Sequence, residues 1–248
     1  MGLSFPNRLG IAAGFDTTGK LGRLAGNLGF GAIELGNWTQ ENWPVSSPSA
    51  SAETLLDTRL GVRLAATTPA SAERETLQLV QLIEKAWKTA DYLCIAPGWL
   101  AESVAFEELR TNLDRLLNSQ QALTRKTRKH CPIVCKLKVV PGNKGPTKLV
   151  QYLASRGVDG ILISFDFGKP GARLHYSKWQ HPALQSNVCR TIEACRRRTS
   201  GTSSVLMTNG GVLSRQDYLD RLRAGADLVQ LHNALLLKGV DIGWEFNQ

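Results

Sequence analysis

Eight short apolar runs, separated by stretches of helical periodicity, constrain the fold of this chain more than any other feature. They are Leu9 to Ala13, Ala32 to Leu35, Leu60 to Leu64, Tyr92 to Ala96, Ile133 to Leu137, Gly160 to Ser164, Val205 to Met207 and Leu228 to Leu231. Several are nearly unbroken, as expected of parallel strands covered on both faces. Helical patterns fall between them at Lys20 to Leu28, Ser71 to Ala90, Glu107 to Thr127, Thr147 to Arg156, Leu184 to Arg198 and Arg215 to Arg223. In the second of these, Leu79, Leu82, Ile83 and Ala86 form an apolar stripe at helical spacing. Eight strands alternating with helices predict a closed (β/α)8 TIM barrel, one α/β domain over residues 1–248. An open doubly wound sheet is the competing arrangement. It wants Gly-x-Gly-x-x-Gly after the first strand, and Gly14-Phe15-Asp16 does not supply it.

Length agrees with this reading, since 248 residues is the usual size of one such barrel. No apolar run approaches the roughly 20 residues needed to span a bilayer. Met1 leads directly into Leu3 and Phe5 without a signal-peptide pattern, so a cytoplasmic location away from membranes is expected. Five cysteines without Cys-x-x-Cys spacing (Cys94, Cys131, Cys135, Cys189 and Cys195) point to reduced thiols rather than a metal site. The formal charge of +9 gathers in two clusters, Arg125, Lys126, Arg128 and Lys129, and Arg190, Arg196, Arg197 and Arg198. Both lie near expected helix ends, where cations favour the C-terminal dipole. Without interleaved aromatics, they read as solvated helix surface, and no nucleic-acid partner is expected.

The most specific local pattern runs from Ser204 to Ala234. It reads as a strand, the pair Gly210-Gly211, a helix N-cap at Ser214, a helix, a turn at Ala224 to Ala226, and a last strand. In an α/β barrel two such consecutive strand ends often hold a phosphate. Two long loops are expected over the barrel mouth, Asn37 to Asp57 and Gly168 to Pro182. The second begins with Gly168, Pro170 and Gly171, and holds His175, Tyr176, Trp179 and His181.

Several segments, in order along the chain, resemble dihydroorotate dehydrogenases, especially the quinone-using class. They are Ala12-Ala13-Gly14-Phe15-Asp16 with Gly29 to Gly36, Ala90-Asp91-Tyr92-Leu93, Val134-Cys135-Lys136, Gly157-Val158-Asp159-Gly160, and the last two strands. The resemblance implies an FMN-containing barrel that oxidises dihydroorotate to orotate in pyrimidine synthesis. Carried over by position, Lys136 falls on the flavin-contacting lysine, and Ala13 and Gly14 on the small residues beneath the flavin ring. Gly210 and Gly211, with His232 and Asn233, fall on the phosphate cradle. Ser164 and Asn37 stand where the family has threonines. Because the donors in such a cradle are main-chain N–H groups, side-chain changes are tolerated.

The chemical end departs from the family pattern. Thr17 stands at the position of a lysine that contacts flavin and substrate. Strand four continues Cys94-Ile95-Ala96-Pro97-Gly98-Trp99, without the family's serine base and asparagines. Phe165-Asp166 replaces an Asn-Thr pair, and Arg63 an asparagine; Thr58-Arg59-Leu60-Gly61 is at most a remnant of the substrate segment before strand three. A base must lie within hydrogen-bond reach of the proton it removes, so the candidates are Asp166, just past strand six, and Lys20, about one helical turn beyond Thr17. Asp16 is expected to be structural and Cys94 a small core residue, while Trp99 and Trp179 near the mouth fill space left by lost polar groups. The implied function is an FMN-dependent oxidoreductase with a diverged substrate site, inefficient on dihydroorotate. A catalytically inactive homologue that keeps the barrel for binding or assembly is the alternative. An ordinary dihydroorotate dehydrogenase with relocated catalytic residues ranks below both. The class carries an N-terminal membrane-docking segment; here the chain opens almost at the barrel, which again leads to the expectation of a protein off the membrane.

Overall fold

The computed structural model describes residues 1–44, 54–67, 69–167 and 177–248. Of the expected mouth-loop residues, Gly168, Pro170, Gly171, His175 and Tyr176 lie outside them. Eight strands close a parallel barrel: β1 (Leu9–Asp16), β2 (Ala32–Trp38), β3 (Arg59–Leu64), β4 (Tyr92–Ile95), β5 (Ile133–Val139), β6 (Gly160–Phe165), β7 (Val205–Asn209) and β8 (Leu228–Leu231). Each pairs with the next in sequence, and β8 returns to β1 through Gly10 and Gln230. The outer layer is α1 (Ala72–Ala86), α2 (Phe106–Thr127), α3 (Thr147–Ser155), α4 (Pro182–Thr199) and α5 (Arg215–Arg223), followed by two short helices, α6 (Asn233–Lys238) and α7 (Ile242–Asn247).

The helices are amphipathic for local reasons. In α1, Ser71 Oγ accepts from the Arg74 amide at 3.3 Å, Glu73 and Glu75 sit in the first turn, and Leu79, Leu82, Ile83 and Ala86 are buried. The helix ends at Ala86, short of the expected Ala90. There Lys129 Nζ donates to the carbonyls of Trp87 and Ala90 at 3.1 and 2.8 Å. Lys129 is thus a cap on free carbonyls rather than solvated surface. The segment after β1 is a 3-10 helix, Gly22–Leu28, not the α-helix expected from Lys20 onward. At Gly26 the backbone itself packs on the neighbouring segment, since a Cβ there would lie 2.5 Å from Leu56 O.

The barrel interior is filled from below. Met1, Leu3 and Phe5 pack against an inner cluster of Ala32, Tyr92, Cys94, Val134, Leu162, Met207 and Leu228. Gly61 makes room for the Tyr92 ring, since a Cβ at that position would fall 2.3 Å from Tyr92 Cζ. Among the described residues, no helix is long and apolar enough to cross a membrane.

Candidate functional site

Side chains two residues apart on a strand point to the same side, and here the inward positions change character along each strand. Ala32 is followed by Glu34, Gly61 by Arg63, Val134 by Lys136, Leu162 by Ser164, Met207 by Asn209 and Leu228 by Gln230. The lower layer is apolar and the upper one polar, so the C-terminal ends of the strands form a hydrophilic floor. Above it lies a cavity of about 790 Å³, within the range of small-molecule sites.

Polar side chains knit the floor together. Asn209 Nδ2 donates to Gln230 Oε1 at 3.1 Å, and Gln230 Nε2 donates to Glu34 Oε2 at 2.8 Å. Glu34 is fully buried, and its other oxygen has no hydrogen-bond partner among the described residues. Arg63, 6% exposed, donates through Nε to Asn37 Oδ1 at 3.1 Å and through Nη1 towards Cys94 Sγ at 3.6 Å. Burial, and then the neighbouring Arg63, lower the Lys136 pKa, while Glu34 acts in the opposite direction. Cys94 is buried in the barrel, and desolvation pushes its thiol up to about 12, so it remains protonated near neutrality.

The residues singled out from sequence converge. Ala13, Asn37, Lys136 and Ser164 line the cavity, as do Gly210, Gly211, His232 and Asn233. Gly14 stands just outside that lining; a Cβ on it would sit 3.5 Å from His232 Nε2. Asp166 lines the cavity and is exposed, and its amide donates to Val139 O at 3.0 Å. Lys20 is exposed and does not line it. Asp16 is structural: its carboxylate accepts from the amides of Gly19, Lys20 and Gly22 at 2.8, 3.1 and 2.9 Å, which holds the turn into the 3-10 helix.

The glycine pair has a strict steric requirement. Gly210 and Gly211 have φ of +88° and +67°, in the left-handed region that disfavours side chains. A Cβ on Gly210 would fall 1.9 Å from Phe165 O, and one on Gly211 would fall 2.0 Å from Trp179 Cε3. Trp179 is therefore a wall of this corner, 4% exposed and packed against Phe167 at 4.9 Å between ring centroids. Trp99, expected near the mouth, instead lies in the outer core at 2% exposure and does not line the cavity.

Two residues that the sequence did not single out brace the glycine pair. Gln185 on α4 donates to Gly211 O at 2.7 Å and to Trp179 O at 3.0 Å. Arg221 on α5 is fully buried; it donates to Gln185 Oε1 at 3.4 Å and to Thr208 Oγ1 at 3.3 Å, with its guanidinium 5.4 Å from the Phe165 ring centroid. Desolvation lowers its pKa to about 10, so it stays a cation at neutral pH. A basic residue on the inner stripe of α5 was the available sequence signal.

No protein-family model matches the chain. The dihydroorotate dehydrogenase (quinone) of Agrobacterium fabrum is 27% identical over 276 aligned residues, covering 96% of this chain and 75% of that protein. The protein of the same name from Halorhodospira halophila is 26% identical, covering 96% of this chain and 81% of its own. Among solved structures, the ligand-free type DHODH from Eimeria tenella shares the fold with a TM-score of 0.77 at 18% identity, over 99% of this chain and 83% of that one. The chain is a distant homologue of proteins named dihydroorotate dehydrogenase (quinone) and shares the closed eight-stranded barrel.

Proposed function

We propose that this chain is an FMN-binding oxidoreductase of the dihydroorotate dehydrogenase kind whose substrate end has diverged. The observation that carries this reading is convergence: eight of the nine residues that the resemblance assigns to cofactor contact line one cavity. The glycine corner is compatible with a phosphate, because both of its positions exclude any Cβ and line the same cavity as His232 and Asn233. Main-chain groups of Gly210, Gly211, His232 and Asn233 would hold the phosphate. Ala13, Gly14, Asn37, Lys136 and Ser164 would bound the ring. Bound FMN supplies an acceptor for hydride from a substrate C–H bond.

The chain's own residues bear on what that substrate is. Arg63 brings a guanidinium into the cavity where the family has a neutral amide, and Lys138 adds a further basic side chain beside Lys136. Asp166 places a carboxylate in the cavity lining, where it is the candidate proton acceptor. Several polar contacts of the family pattern are changed at once. Each loss beside a buried partner costs about 1–3 kcal/mol, which argues against tight binding of dihydroorotate.

One observation favours the inactive-homologue alternative. The segment that holds the serine base in the family is here Cys94-Ile95-Ala96-Pro97-Gly98-Trp99, and none of these residues lines the cavity. The Gly98 amide is held by the Glu75 carboxylate at 2.9 Å, and Trp99 is in the core. A flavin titration followed by a substrate screen separates the two readings. FMN fluorescence should be quenched at one equivalent, with the Gly210→Ala protein failing to quench it. Absence of saturable quenching in the unmodified protein would end the oxidoreductase reading. A bound flavin that no C–H donor reduces would favour the inactive homologue.

A further inference from the structure

Helix α4 carries a basic face. Asn187, Arg190, Thr191, Ala194, Arg197 and Arg198 recur at helical spacing and share one face. Glu193, the only acid of the helix, stands one turn from both Arg190 and Arg197, forms no salt bridge with either among the described residues, and lines a different groove beside Asp217 and Asp220. Opposite the arginine face, the loop between β5 and α3 presents Gly142, Asn143 and Lys144. The two walls enclose a groove of about 560 Å³. No carboxylate lines it, and Lys144, Arg190, Arg197 and Arg198, all exposed, form no salt bridge among the described residues. Arg190 and Arg198 donate to the neutral amides of Asn187 and Gln151. Arg196, on the same turn as two of these, is by contrast paired with Asp227.

Arg197 and Arg198 also sit in the last turn, where the helix dipole favours cations. The dipole accounts for neither Arg190 in mid-helix nor Lys144 on the facing loop. Four cations without a salt bridge among the described residues, around one concavity, repel each other and focus a positive potential. A multivalent anion relieves that repulsion, and the guanidinium fork matches phosphate oxygens. Thr147, Thr191, Asn143 and Asn187 add uncharged donors to the walls. The lining contains no aromatic side chain, so it lacks a platform on which bases of single-stranded nucleic acid stack. The volume suits a small ligand rather than an extended chain.

We infer that this groove binds an oligophosphate, an anion of at least two linked phosphoryl groups, free or as the polyphosphate of a nucleotide. It shares no lining residue with the mouth cavity and stands whether or not flavin binds there. Calorimetric titration with sodium tripolyphosphate, on the protein with and without added FMN, tests it. Saturable one-site binding below about 1 mM is expected. The R190Q/R197Q variant, whose exposed positions leave thermal unfolding unchanged, should weaken it about tenfold or more. The R125Q/K126Q variant, at the basic end of α2, should leave it intact. An adenosine triphosphate arm distinguishes the sources: equal or weaker affinity assigns a free oligophosphate, and tighter affinity a nucleotide. The inference is overturned by an absence of saturable binding, by equal loss in the two variants, or by a short single-stranded RNA binding more tightly than tripolyphosphate.

Discussion

At the scale of single residues, the glycine corner and its braces decide what the site can hold. Gly211→Ala forces both a left-handed alanine and an overlap with Trp179. Strain of this kind costs about 1–3 kcal/mol before any repacking, so the variant should melt several degrees lower and lose flavin quenching. Gln185→Ala removes the amide that ties Gly211 O to Arg221, without steric conflict. It should weaken FMN about tenfold, or about 1.4 kcal/mol, with far-UV circular dichroism unchanged. Lys136 gives a pH prediction. Its folded pKa lies below the usual lysine value, so the unfolded chain binds more protons between those two values, and stability rises with pH across that window. Lys136→Met removes this penalty. The variant should resist urea better than the parent at pH 7, with the difference narrowing as pH approaches 10.5. The inward residues Glu34, Arg63, Asn209 and Gln230 carried a sequence signal, polar side chains inside apolar strands. The hydrogen bonds of Asn209 to Gln230, of Gln230 to Glu34 and of Arg63 to Asn37 were hidden, because they cross from one strand to another.

At the scale of elements, the strands were legible because burial on both faces leaves an apolar run that little else produces. Every expected strand is present, but β1, β2 and β5 continue past their apolar runs to Asp16, Trp38 and Val139. There the ladder persists while the side chains turn polar to meet the cavity, so composition alone ends the strand too soon. Helix α5 matched its expected bounds because Ser214 and Asp217 form a reciprocal capping box, a signal written within one turn. Helices α6 and α7 were not read, being six residues each and bounded or interrupted by Gly239 and Gly243. Gly243 is needed for packing, since a Cβ there would lie 2.0 Å from Leu28 O. Within the barrel, Gly61→Ala drives a methyl group into the Tyr92 ring. Overpacking of this sort costs about 1–3 kcal/mol, or roughly 2–4 °C in Tm per kcal/mol at this size; differential scanning calorimetry reads it directly.

At the scale of the whole molecule, what is retained and what has changed lie, under the proposed function, on different strands. The glycine corner, proposed to hold the cofactor phosphate, belongs to β7 and β8. The proposed substrate end is drawn from the exits of β1, β3, β4 and β6, at Thr17, Arg63, Pro97 and Asp166. A barrel allows such division because each exit loop hangs on its own strand and changes without disturbing the others. The fold was therefore legible from periodicity, whereas the proposed cofactor end rests on the resemblance, at positions whose donors would be main-chain groups. The substrate end was legible only as a set of departures, because side chains that replace a lost contact define no ligand by themselves. Anaerobic absorbance of the FMN-loaded protein during addition of dihydroorotate tests the central claim most directly. One equivalent of flavin should be bound, and its visible bands should persist through millimolar dihydroorotate. Rapid bleaching at stoichiometric dihydroorotate, or a protein that takes up no flavin, would contradict the account.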